Sequence, residues 1–95
     1  MAKEAIRALT RTAAREWGEK RITVNAMMPV AYTESMDEAV KAGYTDGKGG
    51  GPITRMGDLA QDIAPVALFL VSPEAGYVTG YSFHADGGFK IDAAR

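Results

Sequence analysis

Only two stretches of the chain have the make-up of a β-strand, and residues 29–80 lie between them. Ile22 to Met28 is apolar, β-branched at its start, and bounded by a charged turn and Pro29. Tyr81 to Ala85 is entered from Gly80 and left through Asp86-Gly87-Gly88. A connection of that length cannot be a hairpin, and it carries helical sequence. The two strands are therefore expected to be parallel, joined by a right-handed crossover. The fold class is α/β: a helix, then a parallel strand–helix–strand crossover. Two strands make a thin sheet, so one edge and part of both faces should be uncovered.

The helical stretches are marked by composition and by their ends. Ala2 to Trp17 is alanine-rich, lacks Gly and Pro, and is followed by Gly18. Ile6, Leu9, Ala13 and Trp17 share one face, while Lys3, Arg7, Arg11 and Arg15 form a basic stripe on another. With no aromatic residues interleaved, the stripe reads as a solvated face rather than a nucleic-acid contact. Glu34 to Ala42 suits a short helix with Met36 and Val40 on one side. Gly43 to Pro52 holds five glycines and reads as a flexible loop. Asp58 is an N-cap with Gln61 at capping-box spacing, and Ile63, Val66, Ala67 and Leu70 follow as the buried face. Pro65 opposes that helix, since an interior proline costs about 3 kcal/mol. Its first turn should be irregular, or its start should lie nearer Asp62. Ser72-Pro73 ends it.

Composition limits what such a chain can do. Ninety-five residues, 46% hydrophobic and 24% charged, suit a single globular domain over 1–95. The absence of cysteine excludes disulfides and thiolate metal sites and fits a reducing compartment, so a cytoplasmic location is expected. The longest apolar run, Ile63 to Val71, contains Pro65 and is too short to span a bilayer. Lys3, Glu4 and Arg7 interrupt any signal-peptide pattern at the start. Six basic and three acidic groups in residues 1–21 give +3, against −4 from five basic and nine acidic groups in the rest. That asymmetry does not imply nucleic-acid or membrane binding.

Few residues group in a way that carries chemistry. Ser82, His84 and Asp86 alternate on one strand face, the order of nucleophile, base and orienter. Neighbours at i and i+2 on a straight strand sit about 6–7 Å apart, beyond hydrogen-bond reach without a bend. A packed or solvated His84 is the simpler reading. The glycines from Gly47 to Gly51 do not lead from a strand into a helix with Lys-Ser/Thr, so a phosphate loop is excluded. Asp46 onward fails the calcium-loop pattern, with Lys48 and Gly50 where ligands should be. The single histidine and scattered carboxylates match no metal spacing.

Several segments together resemble the short-chain dehydrogenase/reductase family. Ala2-Lys3-Glu4-Ala5-Ile6-Arg7-Ala8-Leu9-Thr10-Arg11 is similar to the helix bearing that family's Tyr-x-x-x-Lys motif. Ala14 to Gly18, then Ile22-Thr23-Val24-Asn25-Ala26 and Pro29, resemble the next turn and strand. Arg55-Met56-Gly57, Asp62-Ile63-Ala64 and Phe69-Leu70 match the helix before the last strand. Tyr77-Val78-Thr79-Gly80 with Asp86-Gly87-Gly88 matches the closing signature. The matches run in order from Lys3 to Gly88.

The resemblance implies a partial Rossmann-like unit and NAD- or NADP-dependent reduction of a carbonyl or oxidation of an alcohol. Lys3 falls on the motif lysine, which in the family holds the nicotinamide ribose and lowers the pKa of the catalytic tyrosine. That tyrosine would lie two positions ahead of Met1. The Gly-rich pyrophosphate turn, the ribose selector and the catalytic serine have no counterpart in these 95 residues. Pro29, Val30, Ala31, Tyr32 and Thr33 resemble the loop whose backbone meets the nicotinamide carboxamide. Val30 stands where the family usually has glycine, and Thr33 comes one residue early. Glu34 to Pro52 falls on the variable substrate lid. The isolated chain is thus expected to be inactive and to form a homo-oligomer, most simply a dimer. A non-catalytic self-assembling protein is one alternative. Another is a remodelled small enzyme built on Ser82, His84 or Lys3.

Overall fold

The computed structural model describes residues 2–91. Its elements are α1 (Ala2–Trp17), β1 (Ala26–Pro29), α2 (Glu34–Lys41), α3 (Ala64–Val71) and β2 (Ser82–Ala85). The chain divides into two compact units, Met1–Met28 with Val66–Phe83 and Pro29–Pro65 with His84–Arg95.

In the first unit α1 has the limits its composition predicts. Thr10, Ala13 and Ala14 form its buried side, and the Thr10 hydroxyl donates to the Ile6 carbonyl at 2.8 Å. Ile6, Leu9 and Trp17 are 58%, 67% and 46% exposed, so most of the predicted apolar face has no cover among the described residues. Gly18 ends α1 by tightening it into a 3₁₀ turn over Gly18–Lys20. The left-handed step comes later, at Arg21 (φ 60), whose N–H donates to the Gly18 carbonyl at 2.9 Å. Ala75, 1% exposed, completes the small core, and Gly80 faces Ala14. A Cβ on Gly80 would lie 3.4 Å from that of Ala14, and its φ of +79 favours glycine in any case.

The expected strand over Ile22 to Met28 is corrected to Ala26–Pro29. The reason is the partner. Opposite Val24 lies the Thr79–Gly80 bend rather than an extended strand, so side chains replace the ladder. Thr79 Oγ1 accepts from the Val24 N–H at 3.0 Å, and the Gly80 N–H donates to the Val24 carbonyl at 2.7 Å. Asn25 Nδ2 donates to the Val78 carbonyl at 3.0 Å, while Asn25 Oδ1 accepts from the Tyr81 N–H at 3.2 Å. Regular pairing begins where Ala26 N–H meets the Tyr81 carbonyl at 3.0 Å, and Val30 N–H meets the Ala85 carbonyl at 3.1 Å. The constant offset makes the two-stranded sheet parallel, as expected. The second strand is one residue shorter than expected, starting at Ser82.

In the second unit α2 begins at a Thr33 cap, whose Oγ1 accepts from the Met36 N–H at 3.2 Å. Asp58 caps the next helical run as predicted, its Oδ2 accepting from the Gln61 N–H at 2.8 Å. The first turn is irregular: Leu59–Ile63 is a π turn, closed by the Ala64 N–H on the Leu59 carbonyl. Pro65 has no N–H to give to Gln61, and a wider turn just before it removes the need for that bond. From Val66 on, the helix belongs to the first unit: Val66, Ala67 and Leu70 are half-buried, whereas Leu68, Phe69 and Val71 are exposed, so the apolar periodicity identified the inner positions. Ser72 Oγ then donates to the Phe69 carbonyl at 2.6 Å and the helix stops. Among the described residues no helix is long and apolar enough to cross a membrane.

Removing the Asn25 amide leaves the Val78 carbonyl and the Tyr81 N–H without their partner. Asn25→Ala is expected to lower unfolding free energy by about 1–3 kcal/mol in a urea titration. An unchanged midpoint would show that water replaces the amide at no cost.

Candidate functional site

Lys3 lies in the first turn of α1, exposed, in the first unit; Pro29 to Thr33 belong to the second. The geometry of the latter stretch is fixed by backbone pairing. After β1 the chain makes one further parallel bridge, Ala31 with Gly57. The Gly57 N–H donates to the Val30 carbonyl at 3.3 Å, and the Tyr32 N–H donates to the Gly57 carbonyl at 2.8 Å. This close approach needs glycine: a Cβ at position 57 would sit 2.8 Å from the Val30 carbonyl oxygen. The bridge uses the backbone of Val30, Tyr32 and Gly57 and leaves the Ala31 N–H and carbonyl outside the pairing.

Tyr32 reaches forward from this stretch onto α2. Its hydroxyl donates to Asp37 Oδ1 at 2.9 Å, and Asp37 Oδ2 pairs with Lys41 Nζ at 3.1 Å. The Asp37 carboxylate accepts the phenolic proton and opposes a second negative charge, so it raises the Tyr32 pKa above 10.0. A cavity of about 830 Å³ opens beside the ring, lined among others by Lys48, Thr54, Arg55 and Asp58.

Arg55 and Asp62 frame the other side of that region. Both guanidinium nitrogens of Arg55 donate to the carboxylate, Nη2 to Oδ1 at 3.1 Å, and the Asp58 N–H donates to Oδ2 at 2.7 Å. Arg55, and after it the Asp58 amide, hold the Asp62 carboxyl down at about 2. The family resemblance includes both residues, but nothing in the sequence pattern says that they meet. They lie seven residues apart, but Arg55 precedes the helical run that holds Asp62, so helical periodicity does not relate them.

Ser82 is half-buried on β2 in the first unit, and His84 and Asp86 belong to the second. A bend at Asp86 brings His84 Nδ1 to 3.7 Å from Asp86 Oδ2, closer than a straight strand permits but not a hydrogen bond. The carboxylate is otherwise engaged. Its two oxygens accept from the Gly88 and Lys90 N–H groups, each at 3.0 Å, and the side chain is 5% exposed. Asp86 builds the turn after β2 rather than orienting a histidine.

Comparison with known proteins places this arrangement. Residues 1–90 match the family model described as enoyl-(acyl carrier protein) reductase. A 12alpha-hydroxysteroid dehydrogenase from a Clostridium species is 38% identical over 92% of the chain and 35% of its own length. The (3R)-3-hydroxyacyl-CoA dehydrogenase of Mus musculus is 39% identical over 90% of the chain and 33% of its own length. The structure of a short-chain type dehydrogenase/reductase from Mycobacterium ulcerans superposes with a TM-score of 0.80 at 30% identity, covering 92% of this chain and 32% of that one. The chain thus spans about a third of the length of the relatives it matches.

The Asp62 carboxyl should titrate near 2 by carboxyl-carbon NMR, and Arg55→Gln should return it toward 3.8. Because the folded value is the lower one, the pair's contribution to stability is complete above the ordinary carboxylate range. It is lost as pH falls through about 2. A carboxyl that ignores the Arg55 change would mean that the Asp58 amide alone sets it.

Proposed function

The chain belongs to the short-chain dehydrogenase/reductase family, and we propose that it is part of an NAD(P)-dependent oxidoreductase acting on a carbonyl or alcohol. The observation that carries the reading is the stretch from Pro29 to Thr33: it is anchored to Ala85 and Gly57, and the Ala31 peptide groups stay outside the pairing. A carboxamide needs one donor and one acceptor side by side, and a main chain held this way offers both. When bound, the nicotinamide supplies or accepts the hydride. Thr33 already accepts from Met36 N–H, which leaves its own O–H free to donate. Val30 in place of glycine narrows the approach on that side.

Lys3 holds the nicotinamide ribose and acts as a fixed positive charge. In the family a tyrosine stands one helical turn ahead of the lysine at this position, and a cation at that distance favours its phenolate. Residues 34–52 act as the lid that selects substrate. The 95-residue chain carries no Gly-rich turn for the pyrophosphate, so its own cofactor affinity is weak. Each charge-assisted contact it lacks is worth about 1.5–3 kcal/mol.

The protein also assembles as a homo-oligomer in the cytoplasm, most simply a dimer. Support comes from Ile6 and Leu9 on α1 and from α3, which is apolar on every side. A helix of that kind is ordinarily covered.

Two measurements test these points. Titration with NADH or NADPH should shift the amides of Ala31 to Thr33 and the start of α1, with the α1 shifts lost in Lys3→Ala and no turnover of simple ketones. Shifts confined to other segments, or none at millimolar cofactor, would remove the assignment. Light scattering coupled to size exclusion should give at least twice the 10.1 kDa chain mass. A folded, cooperative monomer at micromolar concentration would end the assembly reading.

A further inference from the structure

Tyr32 touches more segments of the second unit than its place in the resemblance explains. Its backbone is fixed in the bridge with Gly57, its hydroxyl donates to Asp37 on α2, and its ring meets the glycine loop. A Cβ on Gly47 would fall 3.3 Å from Tyr32 Cε2 and 2.8 Å from Val40 Cγ2, so Gly47 is seated on these two side chains. The Gly47 φ of +75 keeps the loop turned at that contact, and the Thr45 hydroxyl oxygen accepts the Gly47 N–H at 3.3 Å. The same ring forms a wall of the 830 Å³ cavity that Gly47, Lys48 and Gly49 also line.

We propose that Tyr32 is a positioning residue, a latch that holds α2 and the Gly47 turn against the Pro29–Thr33 stretch and so sets the shape of the cavity beside it. The relevance to catalysis rests on the oxidoreductase reading; the latch itself does not. The hydroxyl bond acts on α2 at the first turn, where helical N–H groups lack partners within the helix and fraying begins. Asp37 is held in turn by Lys41 one turn on, which limits the rotamers from which it can accept. Ring packing acts on the loop. The two contacts separate chemically: phenylalanine keeps the second and loses the first.

The experiment is amide hydrogen exchange on the full chain without cofactor. Tyr32→Phe should speed exchange across Glu34–Lys41 about fivefold, the factor a typical net hydrogen bond supplies, and leave the Gly47 segment close to wild type. Tyr32→Ala should release both segments. Asp37→Asn keeps an acceptor for the phenol and should retain protection, whereas Asp37→Ala should match Tyr32→Phe. Exchange in α2 that Tyr32→Phe leaves unchanged would overturn the latch. So would equal loss in Asp37→Asn and Asp37→Ala, because the Lys41 pair would then be the agent. None of these readouts depends on nicotinamide, so failed cofactor binding with an intact exchange pattern would remove the oxidoreductase reading and leave the latch.

Discussion

The joint between Val24–Ala26 and Val78–Tyr81 sets the register of both strands. Four bonds made by Asn25, Thr79 and Gly80 bring two irregular segments into line before any regular pairing begins. A parallel pair of four-residue strands has few ladder bonds with which to choose its own alignment. The side-chain joint makes the choice for it. A slip of one residue would turn the slipped strand's side chains to the opposite face and take the Asn25 amide away from the Val78 carbonyl and the Tyr81 N–H.

In the second unit the bridge at Gly57 continues the extended chain. Val30 leaves the sheet still extended and finds the Gly57 backbone instead of another strand, in a bridge that does not use the Ala31 N–H or carbonyl. The stretch proposed to meet a nicotinamide is in this sense the end of a strand, kept straight by a glycine that permits close approach.

How much of the fold is legible in the sequence depends on whether an interaction is periodic. The limits of α1, the Asp58 cap, the disturbed turn before Pro65 and the inner side of α3 all come from spacing or from one residue's covalent geometry, and all are found. The start of β1 lies later than its residue types suggest. Val24 and Asn25 look like strand residues, while their partners are a threonine hydroxyl and a glycine bend far along the chain. Arg55 with Asp62, and Tyr32 with Asp37, lie seven and five residues apart across a loop or a helix start, so no pattern foretells them. The face of Ile6, Leu9 and Trp17 shows the converse. Its pattern is plain, yet pattern alone does not say what covers it.

The engaged carboxylate of Asp86 bears on how the molecule ages. The chain has two Asp-Gly pairs, Asp46-Gly47 and Asp86-Gly87, the dipeptide in which a side-chain carboxyl is most readily attacked by the following amide nitrogen. Such attack expels water to give a cyclic imide, and hydrolysis of the imide at its main-chain carbonyl leaves an isoaspartyl link. At Asp86 both oxygens are tied to the Gly88 and Lys90 amides within a nearly buried turn, which opposes the rotation that ring closure requires. Asp46 is exposed, and one contact, from the Lys48 amide at 2.9 Å, restrains it. Covalent wear should therefore accumulate first in the glycine loop, inserting an extra backbone carbon beside the turn that rests on Tyr32, while the turn after β2 keeps its original connectivity.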